Sequence, residues 1–433
     1  MKITPARRLN GGVQLPGDKS ISHRAAIIAA LAKGTSQITN FSPSEDCAAT
    51  LTCLQRLGVT IKAEAHIVIV EGVGESGLRA PAEDLYCGNS GSTMRMLAGV
   101  LAGQDFSSTM TGDDSLSSRP MRRIIEPLQM MGAVIGSNDD KPPLTINGRR
   151  PLKAIHYELP IASAQVKSCL LLAGLHANGR TEVIERTETR DHSERMLEWF
   201  GVPVEKSADG GISIDGPRSY AARDVKVPGD ISSAAFLIAA SALLPASTVE
   251  IKDVGLNPKR SMFVSLLRSL GAEIEVTNER NQCNEPVGDI RVKGKLNVES
   301  PSAVDSTLVR GNLIAGLIDE LPILAVVGTQ LPGGIEIRDA RELRSKESDR
   351  IATTVKNLRA MGVEVEEFED GLAVRGRTQL RGAMLESYGD HRIAMAFAVA
   401  ALIASGDSEI AGAECVSVSF PDFFSTLKSL EKN

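Results

Sequence analysis

The amino-acid sequence predicts an α/β protein of two domains, each built from three repeated units of about seventy residues. A chain of 433 residues exceeds one ordinary domain, and domain sizes suggest two or three domains. Two sequence phrases alternate along the chain. One is a helix that ends in Leu-x-x-apolar-Gly before a β-branched strand, and the other is a polar turn that opens a small-residue apolar helix. Each unit is therefore expected to be a small βαβαββ layer.

The first phrase describes the second helix of a unit and the strand that follows it. It occurs as LTCLQRLGVTI, IIEPLQMMGAVI, RMLEWFGVPV, FVSLLRSLGAEI and NLRAMGVEVE, with Gly58, Gly132, Gly201, Gly271 and Gly362 at the helix ends. Glycine directly after a helix commonly takes the left-handed conformation that stops the helix. These helices carry apolar residues on one face, so we expect them to pack on a sheet with their polar face in solvent.

The second phrase describes the first helix of each unit. It occupies residues 18–32, 89–103, 163–174, 230–244, 305–317 and 390–404. Several of these helices are apolar all round, which predicts burial on every side. Strands are predicted around the segments SQITNF, HIVIVEG, RTEVIERTE, STVEIKDV, IRVKG, GGIEIRDA, LAVRG and AECVSVSF, which are short and rich in β-branched residues.

The domain boundary follows from the repeat count, because the sequence contains no long flexible linker. The third unit ends near residues 225–227, and the fourth opens at Pro228-Gly229-Asp230. The first strand, in MKITPARR, precedes the first unit and is assigned to the second half. The predicted domains are therefore 14–227 and a discontinuous domain of 1–13 with 228–433.

Composition excludes several classes of function. A net charge of −6 and an aromatic content of 3% argue against a nucleic-acid surface. The cysteines form no CxxC pair and the histidines no HExxH pattern, so we expect no metal site, no cofactor and no disulfide framework. The longest apolar helical run, 394–404, is too short to cross a bilayer, and the N-terminus lacks a signal peptide's apolar stretch. We expect a cytoplasmic protein that binds no membrane.

The stretch LPGDKSISHRAAIIAALA resembles an anion site. Asp18 and Ser20 are good helix caps, so a helix is expected to begin near Lys19. Its unpaired N–H groups and positive dipole end, together with Lys19 and Arg24, favour a phosphate or carboxylate. An ordinary capped helix with solvated basic residues is the alternative. Further basic residues near predicted helix starts favour a small polyanionic ligand; they are Arg95, Arg119, Arg122, Arg123, Lys167, Arg190, Arg344, Lys346, Arg350 and Arg392.

Nine motifs in order resemble the 5-enolpyruvylshikimate-3-phosphate synthase family: LPGDKSISHR, CGNSGSTMR, GDDSLSSRPM, SAQVKS, TRDHSERM, LIDELPIL, RSKESDR, GDHR and SFPDFF. The resemblance implies two inside-out, barrel-like α/β domains that close on substrates. It also implies transfer of the enolpyruvyl group of phosphoenolpyruvate to the 5-hydroxyl of shikimate 3-phosphate, with release of phosphate through a tetrahedral intermediate. We expect a monomer whose partners are these two small molecules.

The resemblance also carries over site residues. It implies that shikimate 3-phosphate is held by Lys19, Ser20, Arg24, Ser163, Ala164, Gln165, Arg190, Asp319 and Lys346. It implies that phosphoenolpyruvate is held by Lys19, Gly91, Arg119, Gln165, Arg350 and Arg392. The implied catalytic residues are Asp319, Glu347 and Lys19.

The reaction needs a base near the alcohol, an acid for the methylene carbon and cations for the phosphate. Asp319 is the candidate base, because the apolar run after it is expected to bury it partly and raise its pKa. Glu347 is the candidate acid, although Lys346 and Arg350 beside it favour its carboxylate form. Lys19 can neutralise the leaving phosphate.

Two alternatives remain open at the level of sequence. UDP-N-acetylglucosamine enolpyruvyl transferase shares the architecture, but its first motif should read Lys-Asn where this chain has Lys19-Ser20. A non-catalytic metabolite-binding homologue would not need both Asp319 and Glu347. The chain also departs from the family at Val418, where many members carry Lys, at Ala164, where many carry Ser, and at Met96, where a Pro often stands.

Overall fold

The computed structural model describes residues 1–296 and 307–432. The chain forms two compact domains. The first contains Pro16–Val227 and Asn281–Glu285, and the second contains Met1–Leu15, Pro228–Arg280 and the described part of 286–433. The boundaries thus lie after Leu15 and Val227, where the repeat count had suggested 13 and 227. Within this short segment, Oε1 of Glu285 lies 2.7 Å from Nδ1 of His192.

Strands and helices alternate along the described residues. The strands are β1 (Lys2–Ile3), β2 (Arg8–Gln14), β3 (Lys33–Thr39), β4 (Thr60–Glu64), β5 (Ile67–Val73), β6 (Leu85–Tyr86), β7 (Ser107–Thr111), β8 (Val134–Asn138), β9 (Lys141–Asn147), β10 (Leu152–Lys153), β11 (His156–Glu158), β12 (Ala177–Ile184), β13 (Glu205–Lys206), β14 (Gly211–Gly216), β15 (Val225–Lys226), β16 (Thr248–Gly255), β17 (Ala272–Gln282), β18 (Glu285–Leu296), β19 (Thr307–Val309), β20 (Ile335–Ile337), β21 (Val365–Phe368), β22 (Gly371–Val374), β23 (Met384–Glu386), β24 (Ser408–Ala411) and β25 (Glu431–Lys432). The α-helices are α1 (Lys19–Leu31), α2 (Glu45–Arg56), α3 (Gly91–Ala102), α4 (Asp114–Ser118), α5 (Arg122–Met130), α6 (Ala164–Gly174), α7 (His192–Trp199), α8 (Ile231–Leu243), α9 (Met262–Ser269), α10 (Asn312–Leu317), α11 (Leu321–Gly328), α12 (Arg350–Ala360), α13 (His391–Leu402) and α14 (Phe423–Leu430). Two 3-10 helices cover Arg341–Ser345 and Ala413–Val418.

The sheets show the repeat directly. In the order β6-β7-β9-β8, the first pair is parallel and the other two pairs are antiparallel. The sheets β15-β3-β5-β4, β10-β12-β14-β13 and β19-β20-β22-β21 follow the same pattern. The sheet β17-β18-β16-β2-β25 follows it with one added strand, and β1-β24-β23 is a shortened version. Both N-terminal strands therefore pair within the second domain.

The predicted first helices of five units, α1, α3, α6, α8 and α13, form the core, as the sequence predicts. Residues 21–31 of α1, 231–242 of α8 and all of α13 are buried. α3, α6 and α11 are buried along most of their length. The second helices, such as α5 and α9, bury one face only. Each domain has its own hydrophobic cluster. All five glycines of the first phrase have positive φ, between 83° and 105°, so they stop their helices as expected.

Two predicted elements are wrong. A helix was expected over 305–317, but Thr307–Val309 forms a strand against Ile335–Ile337, and Gly311 has a φ of 62° that separates it from the short helix α10. The buried helix of this unit is α11, which carries a proline in its first turn. Asp305 lies outside the described residues. The segment 413–420 was expected to be a strand, but Ala413–Val418 is a 3-10 helix whose buried residues, Ala413 and Val416, lie three positions apart.

Among residues 1–296 and 307–432, we find no helix that is both long and apolar enough to span a membrane. Cys47, Cys53, Cys87 and Cys169 are buried, and Cys283 and Cys415 are half-buried.

Candidate functional site

The N-terminal ends of α1, α3 and α6 adjoin within the first domain. Asp18 caps α1 by accepting a 2.9 Å hydrogen bond from the N–H of Ile21, which places Lys19 and Ser20 in the first turn. The Nζ atom of Lys19 lies 2.8 Å from Oδ2 of Asp46 on α2. Lys19 and Ser20 are half-buried, so this helix start combines a cation with oriented backbone N–H groups.

Arg24, one turn further along α1, is buried and joins α1 to α6. Its Nε and Nη2 donate to the hydroxyls of Ser193 and Ser168, each at 2.7 Å, and its Nη1 donates to the carbonyl of Ser20 at 2.8 Å. Burial lowers the pKa of Arg24 to about 10, and the positive charge of Arg190 contributes in the same direction. Arg24 therefore supports the backbone of Ser20 from within the protein.

The start of α3 holds Gly91 next to Arg119. Ser90 caps the helix by accepting from the N–H of Thr93 at 3.1 Å. The Nη2 atom of Arg119 donates to Oδ1 of Asn89 at 2.6 Å and to Ser115 at 3.0 Å. Arg119 is only 6% exposed, so these bonds fix its guanidinium close to the first turn of α3.

The start of α6 places Gln165 against α3. Ser163 caps α6, with Ala164 as its first residue. The Nε2 of Gln165 donates to Ser92 at 2.9 Å, and its Oε1 accepts from Nη1 of Arg95 at 2.7 Å. Arg95 thus orients a site residue. The predicted residues Lys19, Ser20, Gly91, Arg119, Ser163, Ala164 and Gln165 all belong to these three helix starts or to the loop before α5.

His23 of α1 and Lys167 of α6 are both buried. His23 is 0% exposed and its Nδ1 lies 2.7 Å from the hydroxyl of Thr50, which in turn lies 2.7 Å from Thr93. Burial and the charges of Lys19 and Arg24 hold the pKa of His23 well below its usual value, so it is neutral. Lys167 is also 0% exposed, with Nζ 2.6 Å from both Glu185 and Glu194. Sequence position cannot reveal such partners on other elements.

In the second domain, two arginines face one carboxylate. Oδ1 of Asp319 lies 3.4 Å from Nη1 of Arg350 and 3.5 Å from Nε of Arg392. Arg392 Nη1 also donates to the carbonyl oxygen of Asp319 at 3.1 Å. The surroundings of Asp319 therefore differ from the expected apolar pocket, because its apolar neighbours turn into α11 while its side chain meets two guanidinium groups. Two cations carried by α12 and α13 therefore lie next to the Asp319 carboxylate.

Arg350 links Asp319 to two further carboxylates. Its Nε donates to Asp390 at 2.8 Å and its Nη2 donates to Glu347 at 2.6 Å. These carboxylates outweigh the cost of burial and raise the pKa of Arg350 above its ordinary value. Lys346 points to Glu342, with Nζ 2.8 Å from Oε1. Asp390 caps α13 by accepting from the N–H of Arg392 at 2.9 Å, and His391 behind it is buried.

Sequence reasoning missed several residues that hold these groups. Asp46 pairs with Lys19, and Asp390 pairs with Arg350. Glu320 lies with Oε1 3.9 Å from Nη1 of Arg392. Asp390 stands in the GDHR motif and Glu320 directly follows Asp319, so both carried a positional signal. Asp46 carried none, because its partner lies 27 residues away on another helix.

A model of the family EPSP synthase (3-phosphoshikimate 1-carboxyvinyltransferase) matches residues 3–427. The chain belongs to the EPSP synthase family. It is 50% identical over 430 residues to the 3-phosphoshikimate 1-carboxyvinyltransferase of Solibacter usitatus (strain Ellin6076), with 99% of each chain covered. It is 50% identical over 431 residues to the enzyme of that name from Koribacter versatilis (strain Ellin345), again with 99% of each covered.

Solved structures support the same family. The fold matches a structure of EPSP synthase from Acinetobacter baumannii with a TM-score of 0.87 and 41% identity, covering 99% of this chain and 98% of the other. A second EPSP synthase structure from that organism matches with a TM-score of 0.86 and 40% identity. The α/β fold expected from the repeats is therefore that of the family. Of the departures noted in the sequence, Met96 is buried in α3 and Val418 ends a 3-10 helix.

Proposed function

We propose that the chain is a 3-phosphoshikimate 1-carboxyvinyltransferase, which transfers the enolpyruvyl group of phosphoenolpyruvate to the 5-hydroxyl of shikimate 3-phosphate and releases phosphate. Family membership over 3–427 supports this reaction. The observation that carries it in the structure is the position of Arg350 and Arg392, 3.4 and 3.5 Å from Oδ1 of Asp319. A base beside two cations suits the addition of an alcohol to phosphoenolpyruvate, which carries both a phosphate and a carboxylate.

Each candidate binding residue is assigned to one of the two substrates, except Lys19 and Gln165, which are assigned to both. For shikimate 3-phosphate the residues are Lys19, Ser20, Arg24, Ser163, Ala164, Gln165, Arg190, Asp319 and Lys346. For phosphoenolpyruvate they are Lys19, Gly91, Arg119, Gln165, Arg350 and Arg392. Helix-start N–H groups and guanidinium forks both suit phosphate and carboxylate oxygens. Arg24 acts mainly through Ser20, since its three contacts are to protein atoms at 2.7 to 2.8 Å.

In the addition step, the 5-oxygen of shikimate 3-phosphate bonds to C2 of phosphoenolpyruvate while a proton reaches the methylene carbon C3. Asp319 is assigned to accept the hydroxyl proton. In the elimination step, the C2–O bond to phosphate breaks and a proton leaves C3, which restores the double bond. Lys19 balances the charge of the departing phosphate.

Glu347 is assigned to the proton at C3. In the structure, its carboxylate accepts a hydrogen bond from Nη2 of Arg350 at 2.6 Å. A bound anion on Arg350 competes for that guanidinium and adds a like charge nearby. Substrate binding therefore releases Glu347 from Arg350 and leaves its carboxyl group free to exchange the proton at C3.

A phosphate-release assay tests this function. Release should require both phosphoenolpyruvate and shikimate 3-phosphate, and it should stop when either is omitted. Mass spectrometry of the product should show shikimate 3-phosphate plus the enolpyruvyl group. Release with UDP-N-acetylglucosamine in place of shikimate 3-phosphate would instead support the other enolpyruvyl transferase. Absence of release under every condition would support the non-catalytic alternative.

A further inference from the structure

A buried polar chain in the second domain leads from Arg260 to Arg392. Nη2 of Arg260 donates to the hydroxyl of Ser232 at 2.5 Å, and that hydroxyl donates to Oε1 of Glu320. The same Oε1 lies 3.9 Å from Nη1 of Arg392. The side chains of Arg260 and Glu320 are each 2% exposed, so the chain is shielded from water. None of Ser232, Arg260 or Glu320 belongs to the residues proposed above to bind substrate.

The distances show that Glu320 is held short of a close ion pair with Arg392. A charge-assisted N–H···O bond is about 2.7–2.9 Å long, which is about 1 Å less than the separation of Glu320 and Arg392. Ser232 is fixed at the start of α8, where its N–H donates to the capping carboxylate of Asp230 at 2.8 Å. Its hydroxyl therefore holds the Oε1 atom of Glu320, the same oxygen that stays 3.9 Å from Nη1 of Arg392.

We propose that Ser232 is a positioning residue which restrains Glu320 from sequestering Arg392, and so keeps Arg392 able to bind an anionic oxygen of phosphoenolpyruvate. This rests on the proposed function of Arg392. A buried carboxylate and a guanidinium attract strongly when little water screens them. Without the serine hydroxyl, Glu320 loses a donor, moves toward Arg392 and competes with the substrate for it.

A double-mutant cycle between Ser232 and Glu320 tests the proposal. Ser232→Ala should raise KM for phosphoenolpyruvate about tenfold, as expected for the loss of a hydrogen bond to a charged group. KM for shikimate 3-phosphate should change by less than about threefold. Glu320→Gln removes the competing charge, so its KM for phosphoenolpyruvate should stay within about threefold of wild type. In that background, Ser232→Ala should have no further effect.

Matched variants separate positioning from a general loss of structure. Ser241→Ala removes another buried hydroxyl of α8, one that donates to the carbonyl of Leu237 at 2.7 Å, and should leave both KM values unchanged. Ser232→Thr keeps the hydroxyl and should restore KM. If Ser232→Ala does not fold, Ser232→Cys, which keeps the size but weakens the donor, replaces it in the cycle. Equal effects of the Ser232 change in both backgrounds, or no effect on KM, would overturn the proposal.

The proposed function fails independently of this inference. A wild-type protein that releases no phosphate with both substrates present contradicts the proposed function. A wild-type protein that turns over normally, with a Ser232→Ala variant of unchanged KM, contradicts only the role of Ser232.

Discussion

The ammonium of Lys19 lies 2.8 Å from Oδ2 of Asp46, in a pair whose side chains are only 14% and 9% exposed. The carbonyl of Asp46 accepts from the hydroxyl of Thr93 at 3.3 Å, so one residue of α2 touches both α1 and α3. Asp46 therefore holds Lys19 in a defined place between the starts of α1 and α3, where residues proposed to bind the substrates lie.

We predict that Lys19→Met lowers kcat and raises KM for both substrates, because the ammonium is proposed to contact both anions and the leaving phosphate. The combined loss in kcat/KM should exceed about a hundredfold, since charge stabilisation of this kind contributes roughly 3–4 kcal/mol. Steady-state kinetics measure it. Lys33→Met, at an exposed lysine of β3, is the control and should match wild type. A Lys19→Met variant with normal kcat would contradict the role in phosphate departure.

Asp319→Asn and Glu347→Gln should each lower kcat far more than they weaken binding. Both groups are proposed to move protons whose transfer occurs only in the transition state, so the expected loss in kcat is about 10²–10⁴-fold. Titration calorimetry should show dissociation constants for shikimate 3-phosphate within about tenfold of wild type. Glu366→Gln, at an exposed residue of β21, is a matched control. A variant that retained wild-type kcat would exclude that residue as the acid or base.

Lys167→Met should destabilise the first domain. The variant leaves Glu185 and Glu194 buried without their shared cation, whose Nζ lies 2.6 Å from each. Breaking a buried ion pair in this way costs about 3–5 kcal/mol. Urea unfolding monitored by circular dichroism gives the free energy of unfolding. Lys153→Met, at an exposed lysine of β10, should change it by less than about 0.5 kcal/mol. Equal stability of the two variants would show that the buried triad contributes nothing.

Local sequence signals predicted the repeat and the helix starts because they act within a few residues. Asp18 capping α1, and Gly58 and Gly362 ending α2 and α12, follow from backbone conformation alone. The helix predicted over 305–317 in the fifth unit was wrong because Thr307–Val309 pairs with Ile335–Ile337. This strand pairing is a long-range interaction that overrides the local helical pattern. Pro322, at the start of α11, was the available signal for the true inner helix.

The sequence predicted which residues form the candidate site, but it did not predict the groups that surround each of them. The order of the motifs identified the arginines as site residues. The side chains that hold them lie far along the chain: Ser193, which accepts from Arg24, is 169 residues away from it. The expected apolar setting of Asp319 came from its neighbours in sequence, whereas Arg350 and Arg392 reach it from other helices. Electrostatic surroundings depend on tertiary packing, which periodicity does not encode.

His176 should make the stability of the first domain depend on pH. It is 2% exposed, neither ring nitrogen has a hydrogen-bond partner among the described residues, and burial lowers its pKa from 6.5 to about 4. The folded state therefore binds the proton more weakly than the unfolded state. The stabilisation is complete above pH 6.5 and is lost as the pH falls toward 4, by roughly 3 kcal/mol in total.

His176→Leu removes this titration, so its free energy of unfolding should fall less steeply than that of wild type between pH 6.5 and 4.5. Urea unfolding at half-unit intervals of pH measures the two slopes. His66→Leu replaces an exposed histidine of the same domain and should leave the slope as in wild type. Parallel curves for wild type and His176→Leu would show that His176 does not titrate differently on folding.

Gly91→Ala is predicted to discriminate between phosphoenolpyruvate and glyphosate, an inhibitor that we expect to occupy the phosphoenolpyruvate site. A Cβ at Gly91 would lie 2.6 Å from Nη1 of Arg95 and 3.5 Å from Nη1 of Arg119. The methyl group therefore pushes Arg95 away from Oε1 of Gln165, to which it now donates at 2.7 Å. The space beside the first turn of α3 shrinks. Glyphosate, the longer of the two ligands, is therefore expected to lose more affinity than phosphoenolpyruvate.

The inhibition constant of glyphosate should rise at least tenfold in Gly91→Ala, and KM for phosphoenolpyruvate should rise by about threefold or less. Inhibition of the wild type should be competitive with phosphoenolpyruvate. Gly136→Ala is the control, because a Cβ there meets nothing closer than Thr145 at 3.8 Å and β8 is exposed at that point. If the glyphosate constant rose no more than KM, Gly91 would not line the phosphoenolpyruvate site, and the placement of that substrate at the start of α3 would be wrong.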